Sequence, residues 1–238
     1  MKAFLLAGGR GERLRPLTLT TPKCLVPVGG TPLLAIWLDL LARQGVSEVL
    51  LNVSHHSDQV RAFLAARAAG PRVRLVIERE PVGTAGTVAA NRSFVADADE
   101  FWVFYADNLT TLALEPMLAA HRRHDGVMTM GLFHAANPRA SGIVEVEPDG
   151  RIVGFVEKPG EPRSDLANAG VYLARRELLE HIPVADGVVD FGHDVLPRLL
   201  GRMYGHIIED FLMDIGTPAA LDRAADAWSR LPVRERLT

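Results

Sequence analysis

Three glycines, Gly8, Gly9 and Gly11, follow an apolar run at residues 3–6, and two cations, Arg13 and Lys23, come after them. Glycine has no Cβ, so the backbone can bend tightly and bring its N–H groups against a ligand. Cations set around such a loop suit a polyphosphate. Two common glycine motifs do not fit. A P-loop ends in Gly-Lys-Ser/Thr, and nothing of that kind follows Gly8 or Gly9. The dinucleotide fingerprint needs a third glycine where Leu14 stands. It also needs an acid at the end of the second strand, where this chain reads Asn52-Val53-Ser54. A glycine pair after a strand is equally compatible with a plain tight turn. Arg13, Pro16 and the Pro22-Lys23 pair make the pattern more specific.

Further along, Asp107 lies just past the apolar run Phe101-Trp102-Val103-Phe104-Tyr105. In open parallel sheets ligands bind beyond the carboxyl ends of strands, and a carboxylate there can hold a hard cation. An isolated aspartate in that position is more readily a turn or cap residue. The same two readings apply to Asp214, in Met213-Asp214-Ile215-Gly216-Thr217-Pro218. Glu157-Lys158-Pro159 reads as a hairpin end and Asn168-Ala169-Gly170 as a turn. Gly83-Thr84-Ala85-Gly86 reads as a loop entering a helix, with Thr84 as N-cap.

Taken together, these segments resemble the sugar-1-phosphate nucleotidylyltransferases. The resemblance rests on Gly8-Gly9-Arg10-Gly11-Glu12-Arg13-Leu14-Arg15-Pro16-Leu17-Thr18, then Pro22-Lys23-Cys24-Leu25-Val26-Pro27-Val28, and it runs to about Leu221. It implies that Leu6, Ala7, Gly8, Gly9, Gly11, Gly83 and Thr84 bind a nucleotide. Arg13 and Lys23 would be catalytic, and Asp107 and Asp214 would hold Mg²⁺. Asn108, Gly142, Glu157, Lys158 and Asn168 would bind the sugar phosphate. Cys24 stands where the family usually has Pro, Ala106 where it usually has Gly, and Leu212 where it usually has Trp. Relatives that transfer pyrimidine nucleotides often carry Gln after the G-x-A of the 83–86 loop. Gly86 stands there here, a form that looks more like short guanylyl-transferring relatives acting on mannose- or heptose-type 1-phosphates. A uridylyl- or thymidylyltransferase acting on glucose-, hexosamine- or muramic-type phosphates is the alternative. A nicotinamide-dependent oxidoreductase is disfavoured by the incomplete fingerprint. A non-catalytic nucleotide-sugar sensor is disfavoured by the retained cations and carboxylates.

The elements that must carry these residues alternate. Strands are expected at 3–6, 48–53, 72–77, 101–105 and 127–133, and helices at 31–43, 58–69, 84–93 and 114–124. Thr31-Pro32 reads as N-cap and first residue of its helix. This βαβ rhythm predicts an α/β fold: a Rossmann-like, mostly parallel sheet with helices on both faces. In the second half, 142–146 and 152–157 read as a hairpin around Pro148-Asp149-Gly150. A strand at 169–173, helices at 175–181 and 191–200, and a strand at 204–209 follow. A last helix opens at Thr217-Pro218. One nucleotidyltransferase domain over 1–238 is expected, with a small sugar-binding lobe roughly within 134–212.

With 238 residues, 48% of them hydrophobic, the chain can bury a sizeable core. The net charge of −3 offers no global attraction to nucleic acid or to an anionic membrane. The expected partners are an NTP and a sugar-1-phosphate, with no nucleic acid and no membrane; a homo-oligomer is compatible with the chain. The N-terminus has no signal-peptide pattern, and no stretch is long enough to span a bilayer. One cysteine excludes an internal disulfide. Cytoplasmic residence is expected. His55, His56, His193, and His121 and His124 three apart on a helix, are read as structural.

Overall fold

The computed structural model describes residues 1–232. In chain order the strands are β1 (Lys2–Leu6), β2 (Pro27–Val28), β3 (Thr31–Pro32), β4 (Glu48–Val53), β5 (Arg72–Ile77), β6 (Glu100–Tyr105), β7 (Asn108–Thr110), β8 (Met128–His134), β9 (Gly142–Val146), β10 (Ile152–Glu157), β11 (Leu166–Arg175), β12 (Met203–Ile207) and β13 (Leu212–Asp214). The helices are α1 (Leu33–Arg43), α2 (Ser57–Ala65), α3 (Thr84–Ala90), α4 (Leu114–His121), α5 (Leu178–His181) and α6 (Pro218–Arg230). Two compact units emerge. One comprises Met1–Pro81, Tyr105–Ala113 and the segment from Asp210 onward; the other comprises Val82–Phe104 and Leu114–Glu209.

The first unit is an α/β layer. β1 pairs in parallel with β4, Lys2 opposite Glu48, and β4 pairs in parallel with β5, Glu48 opposite Arg72. Parallel neighbours need a crossover, and α1 and α2 supply the two that are required. Ala3, Phe4 and Leu5 in β1 and Val49, Leu50 and Leu51 in β4 are fully buried, as strands covered on both faces must be. α1 is apolar nearly all round; Leu33, Leu34, Trp37, Leu38 and Leu41 are buried, and Gly45, at φ +77°, lets the chain leave.

Thr31 and Pro32 do not open this helix. They pair as β3 with β2, Val28 opposite Thr31, and the helix begins at Leu33. The same dipeptide at Thr217-Pro218 does cap a helix: Thr217 Oγ1 accepts from Ala220 N (3.2 Å). The difference lies in the preceding residues. Gly29 and Gly30, both at positive φ, form a turn that pulls Thr31 into a hairpin.

The second unit is organised by the ten-residue strand β11. It pairs antiparallel with β6 on one side and with β8 on the other, and β12 adds to β8 in parallel. β9 and β10 form the expected hairpin, Glu157 opposite Gly142. The ladder between β11 and β8 slips between Asn168 and Tyr172. This irregularity, with Gly170 at φ +67°, falls on the Asn168-Ala169-Gly170 segment. The helix expected at 191–200 is instead a π-turn, Phe191–Val195, followed by a 3₁₀ turn, Leu196–Leu199. Pro197 lacks the N–H that a continuous α-helix would need there.

His121 is fully buried on α4, and its Nδ1 meets Thr129 Oγ1 at 2.8 Å; His124 Nε2 meets the same hydroxyl, also at 2.8 Å. Burial first, and then the nearby Arg175, push the His121 pKa down to about 3. The native chain therefore binds fewer protons than the unfolded chain at any pH between about 3 and the ordinary histidine value near 6.5. Stability from this site is complete above about pH 6.5 and is lost as pH falls toward 3. Thermal melts across that range are expected to show a falling midpoint, with a shallower fall in His121→Gln. An identical pH slope in that variant would refute this assignment.

Candidate active site

In the first unit, a two-stranded ladder brings the two sequence-distant aspartates together. β7 and β13 run antiparallel, with Asn108 opposite Asp214 and Thr110 opposite Leu212. Asp107 immediately precedes β7, and Asp214 ends β13. Ile215 N donates to Asp107 O (3.1 Å), so the pairing continues past the named strands. Ala106 N donates to Leu6 O (3.0 Å), which ties this segment to the end of β1.

Lys23 joins the pair. Its Nζ donates to Asp107 Oδ2 at 2.8 Å and lies 3.9 Å from Asp214 Oδ1. The Lys23 side chain is only 12% exposed, whereas Asp107 and Asp214 are about half exposed. Arg13 completes the group. A Cβ added to Gly216 would lie 2.8 Å from Asp214 Oδ2 and 3.0 Å from Arg13 Nη2, so both groups converge over that glycine. Burial and the neighbouring Asp107 raise the Asp214 pKa, while Lys23 and Arg13 work to lower it. Burial weighs most in that balance, and the two carboxylates share the site with two cations.

The glycine loop is shaped by its neighbours. Gly11 sits at φ +63°, where a Cβ would press on Thr18 Cγ2 at 2.8 Å, and Thr18 Oγ1 donates to Gly11 O (2.7 Å). At Gly8 a Cβ would lie 2.6 Å from Asn52 Nδ2. Asn52 accepts from Ala7 N (2.9 Å) and donates to Glu78 Oε2 (3.0 Å), and Ser54 Oγ donates to Gly8 O (2.6 Å). Gly9 alone of the three has open space where a Cβ would be. Asn52 and Ser54 are thus part of the loop's support. The sequence showed them only as a missing acid at the end of β4. Cys24 is buried, and burial pushes its thiol up to about 12, so it is not a nucleophile.

Asn108 lies in the β7–β13 ladder, buried, with its carbonyl accepting from Trp37 Nε1 (2.8 Å). The other residues assigned to the sugar phosphate belong to the second unit. There a Cβ at Gly142 would lie 2.6 Å from Glu157 Oε2 and 2.8 Å from Phe155 Cζ, so the bare glycine leaves room for both side chains. Lys158 adopts φ +48°, a left-handed conformation that costs a non-glycine residue about 1–2 kcal/mol. Its N–H donates to Ser141 O (3.1 Å), and its Nζ lies 3.6 Å from Glu157 Oε1. Strain of this kind collects at binding and catalytic sites. Asn168 Nδ2 donates to Tyr172 Oη (2.6 Å), and Asn168 Oδ1 accepts from Gly170 N (2.9 Å).

Gly83, at φ +85°, is the N-cap of α3, and Thr84 is the first helical residue rather than the cap. A Cβ at Gly83 would lie 2.2 Å from Val189 O, so only glycine fits. Ala85 N and Gly86 N both donate to that carbonyl, at 3.0 and 2.9 Å.

These arrangements match known proteins over almost the whole described chain. The nucleotidyl transferase family pattern matches residues 2–230. The mannose-1-phosphate guanylyltransferase of Mycobacterium tuberculosis is 35% identical over 221 residues, 91% of this chain and 61% of that protein. The mannose-1-phosphate guanylyltransferase catalytic subunit beta of Danio rerio is 36% identical over 224 residues, 92% of this chain and 62% of that protein. The chain thus spans about three-fifths of the length of these relatives. HddC from Yersinia pseudotuberculosis, solved in complex with GMP-PN, shares the fold: TM-score 0.80 at 24% identity, covering 95% of this chain and 99% of that one. A parallel α/β layer ending in a glycine loop, two carboxylates and two cations, within a match of this extent, places the chain in the nucleotidyl transferase family.

Proposed function

We propose that the chain transfers a nucleotidyl group from an NTP to a sugar-1-phosphate, giving an NDP-sugar and pyrophosphate. The observation that carries this reading is Lys23 set against Asp107 and Asp214, with Arg13 beside them. In the reaction a sugar-phosphate oxygen attacks the α-phosphorus in line, one P–O bond forms, and the bond to the pyrophosphate oxygen breaks. The nucleophile is already an anion, so no general base is needed. The difficulty is to bring two anions together and to stabilise charge on the transferring group, which is work for positioning and electrostatics.

Arg13 would hold the triphosphate and the leaving pyrophosphate, and Lys23 would neutralise charge at the α-phosphate. Leu6, Ala7, Gly8, Gly9 and Gly11, with Gly83 and Thr84, would seat the nucleotide. Gly142, Glu157, Lys158 and Asn168, in a lobe roughly within 134–212, would orient the sugar phosphate, with Asn108 contributing from β7. Two neighbouring carboxylates are an oxygen donor set that suits a hard divalent cation. Asp107 and Asp214 would hold Mg²⁺, which when bound supplies positive charge to the α-phosphate oxygens.

For the substrates, GTP with a mannose- or heptose-configured 1-phosphate is the favoured pair. The Gly83-Thr84-Ala85-Gly86 loop lacks the Gln often found in pyrimidine-transferring relatives, and the two relatives above are named mannose-1-phosphate guanylyltransferases. A matrix of NTPs against sugar-1-phosphates, read by pyrophosphate release, tests both levels. The highest kcat/KM is expected for GTP, since a site built to hydrogen-bond one base leaves polar groups unpaired with another. Preference for UTP or dTTP would overturn the guanylyl assignment, and no pyrophosphate from any pair would overturn the transfer reaction. Among the described residues no helix is long and apolar enough to cross a membrane; a cytoplasmic location remains part of this proposal.

A further inference from the structure

One turn of the second unit meets the Gly83–Gly86 loop and Glu157 and reaches Asn168 through Tyr172, yet the proposed reaction gives it no role. It is Asp190-Phe191-Gly192, the start of the π-turn. Thr84 Oγ1 donates to Asp190 Oδ2 (2.9 Å) across 106 residues of sequence, and Phe191 N donates back to Thr84 Oγ1 (2.9 Å). Asp190 Oδ1 accepts from Gly192 N (2.8 Å), and Asp190 N donates to Asp194 Oδ2 (2.7 Å). One residue earlier, Val189 N donates to Val82 O (2.9 Å), and Val189 O accepts from Ala85 and Gly86. The Gly83–Gly86 loop is thereby laced to this turn on both its backbone and its side-chain side.

The turn also reaches two of the residues assigned to the sugar phosphate, Glu157 and Asn168. A Cβ at Gly192 would lie 3.2 Å from Glu157 Oε2, so the Glu157 carboxylate rests on the bare Cα of Gly192 as well as on that of Gly142. The fully buried Phe191 ring stacks on Tyr172, centroids 5.3 Å apart, and the Tyr172 hydroxyl receives the Asn168 amide at 2.6 Å. π-Turns of this kind are rare and occur disproportionately at functional sites.

We infer that Asp190 is a positioning residue: through Thr84 and the Phe191–Gly192 turn it sets the nucleotide loop and the sugar-orienting Glu157 and Asn168 in one register. Asp190 acts through these groups and need touch no substrate itself. The inference rests on the nucleotidyl-transfer reading, because it gives the turn a role in aligning two substrates. A fold-level role alone would account for the hydrogen bonds, but would leave kcat untouched once the protein is folded and saturated.

Thr84→Val keeps the shape and removes the hydroxyl that both donates to Asp190 and accepts from Phe191. Thr84→Ser restores that hydroxyl. Asp190→Asn keeps an acceptor for Gly192 N but presents an amide where Thr84 needs an acceptor. Pyrophosphate release would be measured with both substrates saturating, beside the melting temperature of each protein. Thr84→Val is expected to lower kcat by about 10²-fold, the scale of a misalignment near 1 Å. Thr84→Ser is expected to recover most of it, and adding Asp190→Asn to Thr84→Val is expected to cost little more, since both break one link. Unchanged kcat in folded Thr84→Val and Asp190→Asn, or losses that multiply in the double variant, would overturn the positioning role. So would a loss that only tracks the unfolded fraction and is not recovered by Thr84→Ser. A wild-type chain that turns over no pair of substrates would overturn the transfer reading, and this inference with it.

Discussion

Lys23→Ala is expected to lower turnover by about 10²–10³-fold, the range seen when one preorganised charge aimed at a developing oxyanion is removed. Lys23 Nζ belongs to a largely shielded side chain and is held 2.8 Å from Asp107 and 3.9 Å from Asp214. In the proposed reaction it would face the α-phosphate, where negative charge builds as pyrophosphate leaves. Its removal also leaves two adjacent carboxylates with only Arg13 nearby to offset them. The loss should appear in kcat more than in KM, because the contact strengthens in the transition state. Lys23→Arg should recover only part of it: the guanidinium carries the charge but is broader and planar, a poor fit for a site 12% exposed. Arg13→Ala is expected to lower turnover as well, with a larger share in the KM for the NTP. Pyrophosphate release on purified variants, with circular-dichroism melts beside it, is the measurement. Near-normal turnover in folded Lys23→Ala would remove Lys23 from the chemistry.

The parts of this site that announced themselves in the sequence are local patterns. Gly8 to Lys23 reads as a unit because cations, prolines and glycines stand close together in the chain. The Thr217-Pro218 helix start, the 142–157 hairpin and the alternation of β1, α1, β4, α2 and β5 are legible for the same reason. What joins distant segments was not legible. β7 and β13 are three residues each, too short for any periodic signal, yet their pairing is what sets Asp107 beside Asp214. Asn52 reads as an ordinary strand residue until its amide is seen between Ala7 and Glu78. Asp190 carries no local signal, because its partner Thr84 lies 106 residues away. Thr31-Pro32 and the 191–200 stretch misled for a related reason. The helix signals were present, but the turn at Gly29-Gly30 and the proline at 197 decided the local backbone. Residue roles came from the resemblance to a family, since Glu157 or Asn168 alone is indistinguishable from a residue in a hairpin end or a turn.

Asp214→Asn is expected to abolish divalent-supported turnover while raising thermal stability at neutral pH without added metal, and the two effects have one cause. Asp214 is partly buried and faces Asp107, and both influences raise its pKa above the ordinary carboxylate value. The native carboxyl therefore holds its proton more tightly than the unfolded one. As pH rises through the unfolded and then the raised native value, the native state is penalised for carrying the charge, and that penalty is complete at neutral pH. An amide removes the charge and the penalty, so the melting temperature without metal should rise above that of the wild type, and the gain should vanish as pH falls below the carboxylate range. The same substitution takes away an anionic oxygen ligand, which a hard cation requires. Added Mg²⁺ should therefore stabilise the wild type by mass action and have little effect on the variant. Asp107→Asn should likewise lose divalent-supported turnover, and it also takes the negative charge from the group 2.8 Å from Lys23 Nζ. Turnover by the wild type in EDTA should be negligible and should return on adding Mg²⁺ in excess. Full activity in EDTA would refute the metal assignment; retained metal-dependent turnover in Asp214→Asn alone would leave the metal with Asp107 and remove Asp214 from its ligands. An Asp214→Asn melting temperature below that of the wild type at neutral pH would show instead that Lys23 and Arg13 already stabilise the carboxylate more than burial and Asp107 oppose it.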